Sequence, residues 1–196
     1  MKKTTLFRVL TFVLLIGLLA SCSKHVDKPT GGGDGDNNGG DDNGGGGIPQ
    51  TESYYVKMKM DGAALNYSGS VKAVRGLQND GSTHTLQIQG IKGNGSSDEV
   101  DLIVLSAADA TAGDYTEGDH DTYAIFGIYA PQDRTDDAGI YYAGMTPNNP
   151  VIYKLNITEM TDKYVKGTFS GAFYDNEGKG ANKKIFTEGE FKAPLQ

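Results

Sequence analysis

The sequence predicts an all-β domain of antiparallel strands, and three observations carry that expectation. From residue 48 to 196, polar and apolar residues alternate with period two in one run after another, as strands buried on a single face require. Tight-turn chemistry separates the runs: Asp61-Gly62 and Asn79-Asp80-Gly81-Ser82 supply residues that tolerate the positive φ of hairpin turns. No stretch of this region carries a convincing helical repeat.

Taken in order, Tyr54 to Met60 places Tyr54, Val56, Met58 and Met60 on one face against Tyr55, Lys57 and Lys59 on the other. A short strand from Ala64 to Tyr67 follows the Asp61-Gly62 turn. Val71 to Leu77 and Thr83 to Ile91 then flank the second turn, with His84, Leu86 and Ile88 sharing a face. His84, alternating with core residues, reads as a half-buried strand histidine. Val100 to Leu105 is nearly continuously apolar and fits a central strand covered on both sides. Thr122 to Tyr129, Ile140 to Ala143, Val151 to Glu159, Tyr164 to Tyr174 and Ile185 to Lys192 complete about ten strands. That number of short strands suggests a β-sandwich, with a closed antiparallel β-barrel as the alternative. The sandwich is favoured because several strands are short and their connections vary in length.

The N-terminus has a different character. Lys2, Lys3 and Arg8 precede an apolar run from Val9 to Ala20, and small residues lead to Cys22, so residues 1–21 read as an export signal. The 12 residues of the run fall short of the roughly 20 that a membrane-crossing helix needs. Leu19-Ala20-Ser21-Cys22 resembles the lipobox of bacterial lipoproteins, and Cys22 is the single cysteine of the chain. The resemblance implies cleavage between Ser21 and Cys22 and a diacylglyceryl group on the Cys22 sulfur. It also implies outer-membrane placement, because Ser23 stands where inner-membrane retention calls for Asp. An acidic surface-export cluster is missing from Ser23 to Lys28, which leaves surface and periplasmic facing both open.

Residues 22–47 read as a lipidated cysteine followed by a tether. From Gly31 to Gly47, 10 of 17 residues are Gly and the others are Asp and Asn, a composition with no apolar surface to offset the entropy of ordering. Over the roughly 25 residues from Ser23 to Gly47 such a coil reaches roughly 25 to 30 Å. Asp34-Gly35-Asp36-Asn37-Asn38-Gly39 matches the start of a calcium-binding EF-hand loop, but Gly45 stands where the closing Glu belongs. Solvated linker is therefore the reading of this stretch.

Ala112-Gly113-Asp114-Tyr115-Thr116, Lys166-Gly167-Thr168-Phe169-Ser170-Gly171 and Glu188-Gly189-Glu190-Phe191 together resemble small Bacteroidetes-type outer-membrane lipoproteins with a C-terminal β domain of unknown function. The resemblance implies an antiparallel β fold in a cell-envelope setting and carries no catalytic residues. The glycines of these elements are expected to mark bulges or close backbone approaches.

Composition narrows the function further. Eighteen Lys and Arg against 25 Asp and Glu give a net charge of −7, the wrong sign for a nucleic-acid footprint. Removal of the signal takes that charge to −10. No nucleophile elbow, phosphate loop or zinc-helix motif is present, so the chain is read as a non-enzyme without a cofactor. The densest polar group is Asp114, Glu117, Asp119, His120 and Asp121, read as a solvated loop with Ca²⁺ as the alternative ligand. Candidate ligand-binding rings are Tyr115, Tyr129, Tyr141 and Tyr142, the last two on opposite faces of one strand. The expected function is a lipid-anchored binding or interaction module for a glycan or an envelope protein. The alternatives are a small polysaccharide hydrolase using two loop carboxylates, and a purely structural envelope protein.

Overall fold

In the computed structural model, alternation of apolar and polar residues resolves into eleven strands joined in a single antiparallel sheet. The structure describes residues 53–93, 95–118, 120–132, 139–145, 150–175, 180 and 182–196. The signal at 1–21, Ser21, Cys22, the linker at 22–47 and the partial EF-hand motif lie outside the described residues. Strands make up 64% of what is described, and no helix occurs there, which establishes the all-β class. Among the described residues no helix is long and apolar enough to cross a membrane.

The strands are β1 (Tyr55–Met60), β2 (Ala63–Tyr67), β3 (Ser70–Leu77), β4 (His84–Ile91), β5 (Glu99–Ser106) and β6 (Gly113–Thr116). The chain continues with β7 (Tyr123–Ala130), β8 (Tyr141–Ala143), β9 (Lys154–Met160), β10 (Tyr164–Tyr174) and β11 (Lys183–Pro194). Their order across the sheet is β2-β1-β11-β10-β8-β7-β5-β4-β3, with β9 also paired to β10 and β6 paired to β9. The sheet rolls until β3 reaches the end of β11: Ala73 bridges Leu195 in parallel, and Gln196 N–H donates to the Ala73 carbonyl at 2.9 Å. The result is a nearly closed barrel, so the favoured sandwich gives way to the alternative architecture. Nothing local in the sequence announces this closure, because it depends on contacts between distant segments.

The turns behave as their chemistry dictates. Asp61 and Gly62 have φ of 49° and 85°, both in the left-handed region that the two-residue hairpin between β1 and β2 needs. At the second turn, Asp80 accepts the Ser82 and Thr83 N–H groups at 2.9 and 2.8 Å. These bonds and the Thr83 hydroxyl stabilise its ionised form and draw its pKa down to about 2.

Val56, Met58 and Met60 enter the core as the alternation requires, together with Leu86 and Ile88 of β4 and Val100, Leu102 and Val104 of β5. Phe169, Phe173, Phe186 and Phe191 join Tyr153 at the centre, the Phe173 and Phe186 rings lying 4.3 Å apart. Each such side chain contributes roughly 1.5 to 3 kcal/mol by leaving water. Ile103 and Leu105 point away from this core and are still buried, so β5 is covered on both faces as its continuous apolar run predicts.

Two glycines of these elements stand where a side chain would collide with its neighbours. A Cβ on Gly167 would sit 2.1 Å from the Asn156 carbonyl oxygen and 2.5 Å from the Phe191 ring; one on Gly189 would sit 2.4 Å from the Phe169 carbonyl oxygen. Gly189 also adjoins Glu188, whose φ of 52° accompanies the bulge between β10 and β11. The expectation of bulges and close approaches is met at both positions.

One element was absent from the sequence reading. Gly113–Thr116 forms β6 against β9, so Asp114 and Tyr115 belong to a strand and not to a loop. Asp175 directly follows the end of β10. Both β8 and β9 run antiparallel to β10 and hence in the same direction as each other. The end of β10 therefore lies near the end of the barrel that holds Asp98 and Glu99, away from Asp80.

Candidate functional site

The register of five strands builds a polar ladder on the outer face of the sheet. Lys57 of β1 stands opposite Glu190 of β11, Glu190 opposite Thr168 of β10, Thr168 opposite Asn156 of β9, and Asn156 opposite Asp114 of β6. The next rung is Ser170, Lys154 and Thr116. Their strand neighbours Phe169, Leu155 and Phe191 turn into the core, which is why these polar side chains face solvent. The surface here sinks into a shallow trough of about 680 Å³.

Each carboxylate of the trough has a polar partner within reach. Lys57 Nζ approaches Glu190 Oε2 at 3.0 Å, and the hydrogen bond and charge of Glu190 raise the pKa of the lysine. Lys59 donates to Glu188 Oε1 at 2.8 Å. The Asn156 side-chain amide donates to Asp114 Oδ1 at 2.5 Å. The trough therefore offers donors and acceptors at set spacings across four strands, with its acids engaged as ionic or hydrogen-bond acceptors.

The other described residues of the predicted acidic group, Glu117, His120 and Asp121, have separate surroundings. The Glu117 side chain accepts the Tyr153 N–H at 2.9 Å, while its own N–H donates to the Tyr153 carbonyl at 2.8 Å. His120 stacks on Tyr123 with centroids 4.4 Å apart, and its Nε2 lies 3.3 Å from Thr116 Oγ1. Asp121 is exposed, and Asp119 lies outside the described residues. Among the described residues, no three of His, Cys, Asp and Glu come together in a way that could hold a metal ion.

The four candidate tyrosines are likewise engaged. Tyr115 OH bonds both the N–H and the carbonyl of Thr111, and its ring meets Tyr123 edge-on at 5.1 Å. Tyr129 packs beside Tyr141 and Phe173 at 6.1 and 6.0 Å on the core side. Tyr142 takes the opposite face, in register with Ile128 and Tyr174. All four are half-buried. His84 is also half-buried, with Nδ1 2.7 Å from Asp109 Oδ1, in accord with the sequence reading.

Two further polar groups lie outside the trough. On the outer face of β4 and β5, Gln87 donates to Asp101 at 3.0 Å and Gln89 donates to Glu99. Burial, and then the neighbouring Glu99 charge, push the Asp101 carboxyl up to about 7. Near the turn into β5, Tyr67 OH donates to the buried Asp98 at 3.1 Å, and Lys92 approaches the other Asp98 oxygen at 3.3 Å.

Sequence reasoning reached Asp114 and Tyr115 but missed Lys154, Asn156, Thr168, Ser170, Glu188 and Glu190. Their signal was the polar half of each alternating strand, visible only as solvent-facing residues until register aligned them. Comparison with known proteins adds no relative: no family model, no curated protein and no solved structure matches the chain.

Proposed function

We propose that the protein is a lipid-anchored, non-enzymatic binding module of the bacterial cell envelope, with the polar trough as its ligand site. The lipobox resemblance at Leu19-Ala20-Ser21-Cys22 supports an outer-membrane anchor through Cys22, and the Gly/Asp-rich stretch after it supports a tether that holds the domain clear of the headgroups. The observation that carries the binding reading is the ladder Lys57-Glu190-Thr168-Asn156-Asp114. It combines neutral hydroxyl and amide groups with charges that already have partners. Sugar hydroxyls both donate and accept, which suits such a row, and hydrogen bonding rather than ring stacking would hold them. A hydrolase needs a carboxyl ready to give a proton and a second to act on the sugar. The engagement of Asp114, Glu188 and Glu190 with polar partners favours recognition over that chemistry.

Isothermal titration of the full chain with a panel of soluble envelope oligosaccharides tests this. A saturable heat that Asn156→Ala and Thr168→Ala each weaken by roughly 5- to 10-fold, with unchanged circular dichroism, is the expected result. Release of new reducing ends that Glu190→Gln abolishes would instead establish a hydrolase, and no binding by any oligosaccharide would remove the glycan assignment.

A further inference from the structure

The rolled sheet leaves the outer side of β2 and part of the β3 edge without a neighbouring strand among the described residues. The hairpin bond from Gln78 N–H to the Thr83 carbonyl at 2.8 Å fixes the phase of the β3–β4 ladder. Even-numbered residues of β3 therefore bond to β4, and odd-numbered residues turn their main-chain groups the other way. At Ala73 that outward side meets Gln196, which closes the barrel. Beyond it, the outward N–H and carbonyl groups of Arg75 and Leu77 have no strand beside them among the described residues. On the β6 edge, Tyr123 OH accepts the outward Thr116 N–H at 3.3 Å.

The side chains along this edge add a second observation. Val74 is 39% exposed and Leu77 56% exposed, two of the three large exposed hydrophobic residues in the described domain. They point to opposite faces of the sheet, Val74 outward and Leu77 with Arg75 toward the core side. Arg75 is exposed and makes no ion pair among the described residues.

We infer that the Arg75–Leu77 edge of β3 takes up an extended peptide segment of a partner protein by β-strand addition. Main-chain hydrogen bonds at Arg75 and Leu77 would hold the strand, and an acidic residue beside Arg75 and apolar residues beside Val74 and Leu77 would select it. A second copy of this chain fits less well. Three paired residues bury far less than the roughly 1,200 Å² of a stable dimer, and two chains of net charge −7 repel. This edge lies apart from the trough, so the two assignments stand or fall separately.

The test is fluorescence anisotropy with the full-length chain in detergent and a labelled, capped peptide Val-Thr-Glu-Val-Thr as probe. The peptide should bind saturably, and the same peptide with Lys in place of Glu should bind more weakly. Arg75→Glu should weaken binding about tenfold by turning attraction into repulsion. Leu77→Pro should abolish it, because proline removes the outward donor and no bond to β4, and unchanged circular dichroism confirms the fold. Absence of saturable binding, or equal binding by wild type and both variants, would overturn the inference. Concentration-dependent self-association in sedimentation that Leu77→Pro abolishes would overturn it in favour of a second copy.

Discussion

Replacing Tyr153 by Phe should stabilise the protein, although it deletes a polar group from the centre of the barrel. Tyr153 is completely buried, and its hydroxyl has no hydrogen-bond partner among the described residues. Burial alone raises its pKa, with no compensating partner. In the unfolded chain that hydroxyl bonds water, and folding forfeits the bond at a cost of about 1 to 3 kcal/mol. Phe keeps the ring against Phe186 at 5.9 Å and removes the orphan, leaving a void of a single oxygen that offsets part of the gain. The net expectation is about 1 kcal/mol of added stability, or roughly 2 to 4 °C in Tm for a domain of this size. Tyr67→Phe is the internal contrast. It removes the donor to the buried Asp98 carboxylate and should cost about 1.5 to 3 kcal/mol. Urea denaturation of the full chain at pH 7, read by circular dichroism with unchanged m-values, measures both. A Tyr153→Phe variant destabilised by about 1 kcal/mol or more would show that the hydroxyl is bonded in solution, and the reasoning would fail.

Two other outcomes follow from the same structure, and a third from the lipobox resemblance. The Asp101 carboxyl sits above its unfolded value, so the folded state favours its protonated form. Stability should be fullest below about pH 4 from this group and decline as pH rises toward 7, with Asp101→Asn flattening that part of a Tm-against-pH series. Gly167→Ala forces a methyl against the Asn156 carbonyl oxygen and the Phe191 ring, and thermal unfolding should show a loss of about 1 to 3 kcal/mol, whereas Gly76→Ala, where a Cβ meets open space, should be nearly neutral. Cys22→Ala should move the protein from the membrane to the soluble fraction with its circular dichroism unchanged; continued membrane retention on fractionation would point to another anchor.

What was legible in the sequence was whatever local chemistry decides. Val56, Met58 and Met60 alternate because one face of β1 meets the core, and Asp61-Gly62 marks its turn because both residues accept positive φ. The apolar run of β5 announces its two covered faces. The short β6 escaped because four residues beginning with Gly carry too little pattern, and its strand character comes from pairing with β9. Barrel closure at Ala73 and Leu195, and the alignment of Glu190 with Thr168, Asn156 and Asp114, are matters of long-range register. No window of sequence contains them. The partners of the acidic group were equally hidden in the sequence: the Asp114, Glu117 and His120 side chains meet Asn156, Tyr153 and Tyr123.

The anchored-module account meets its most direct test in the intact mass of the N-terminal peptide of the protein isolated from its native membrane. The account predicts a mature chain that begins at Cys22 and carries a diacylglyceryl group on its sulfur. A chain that begins elsewhere, or a Cys22 with a free thiol, would contradict it.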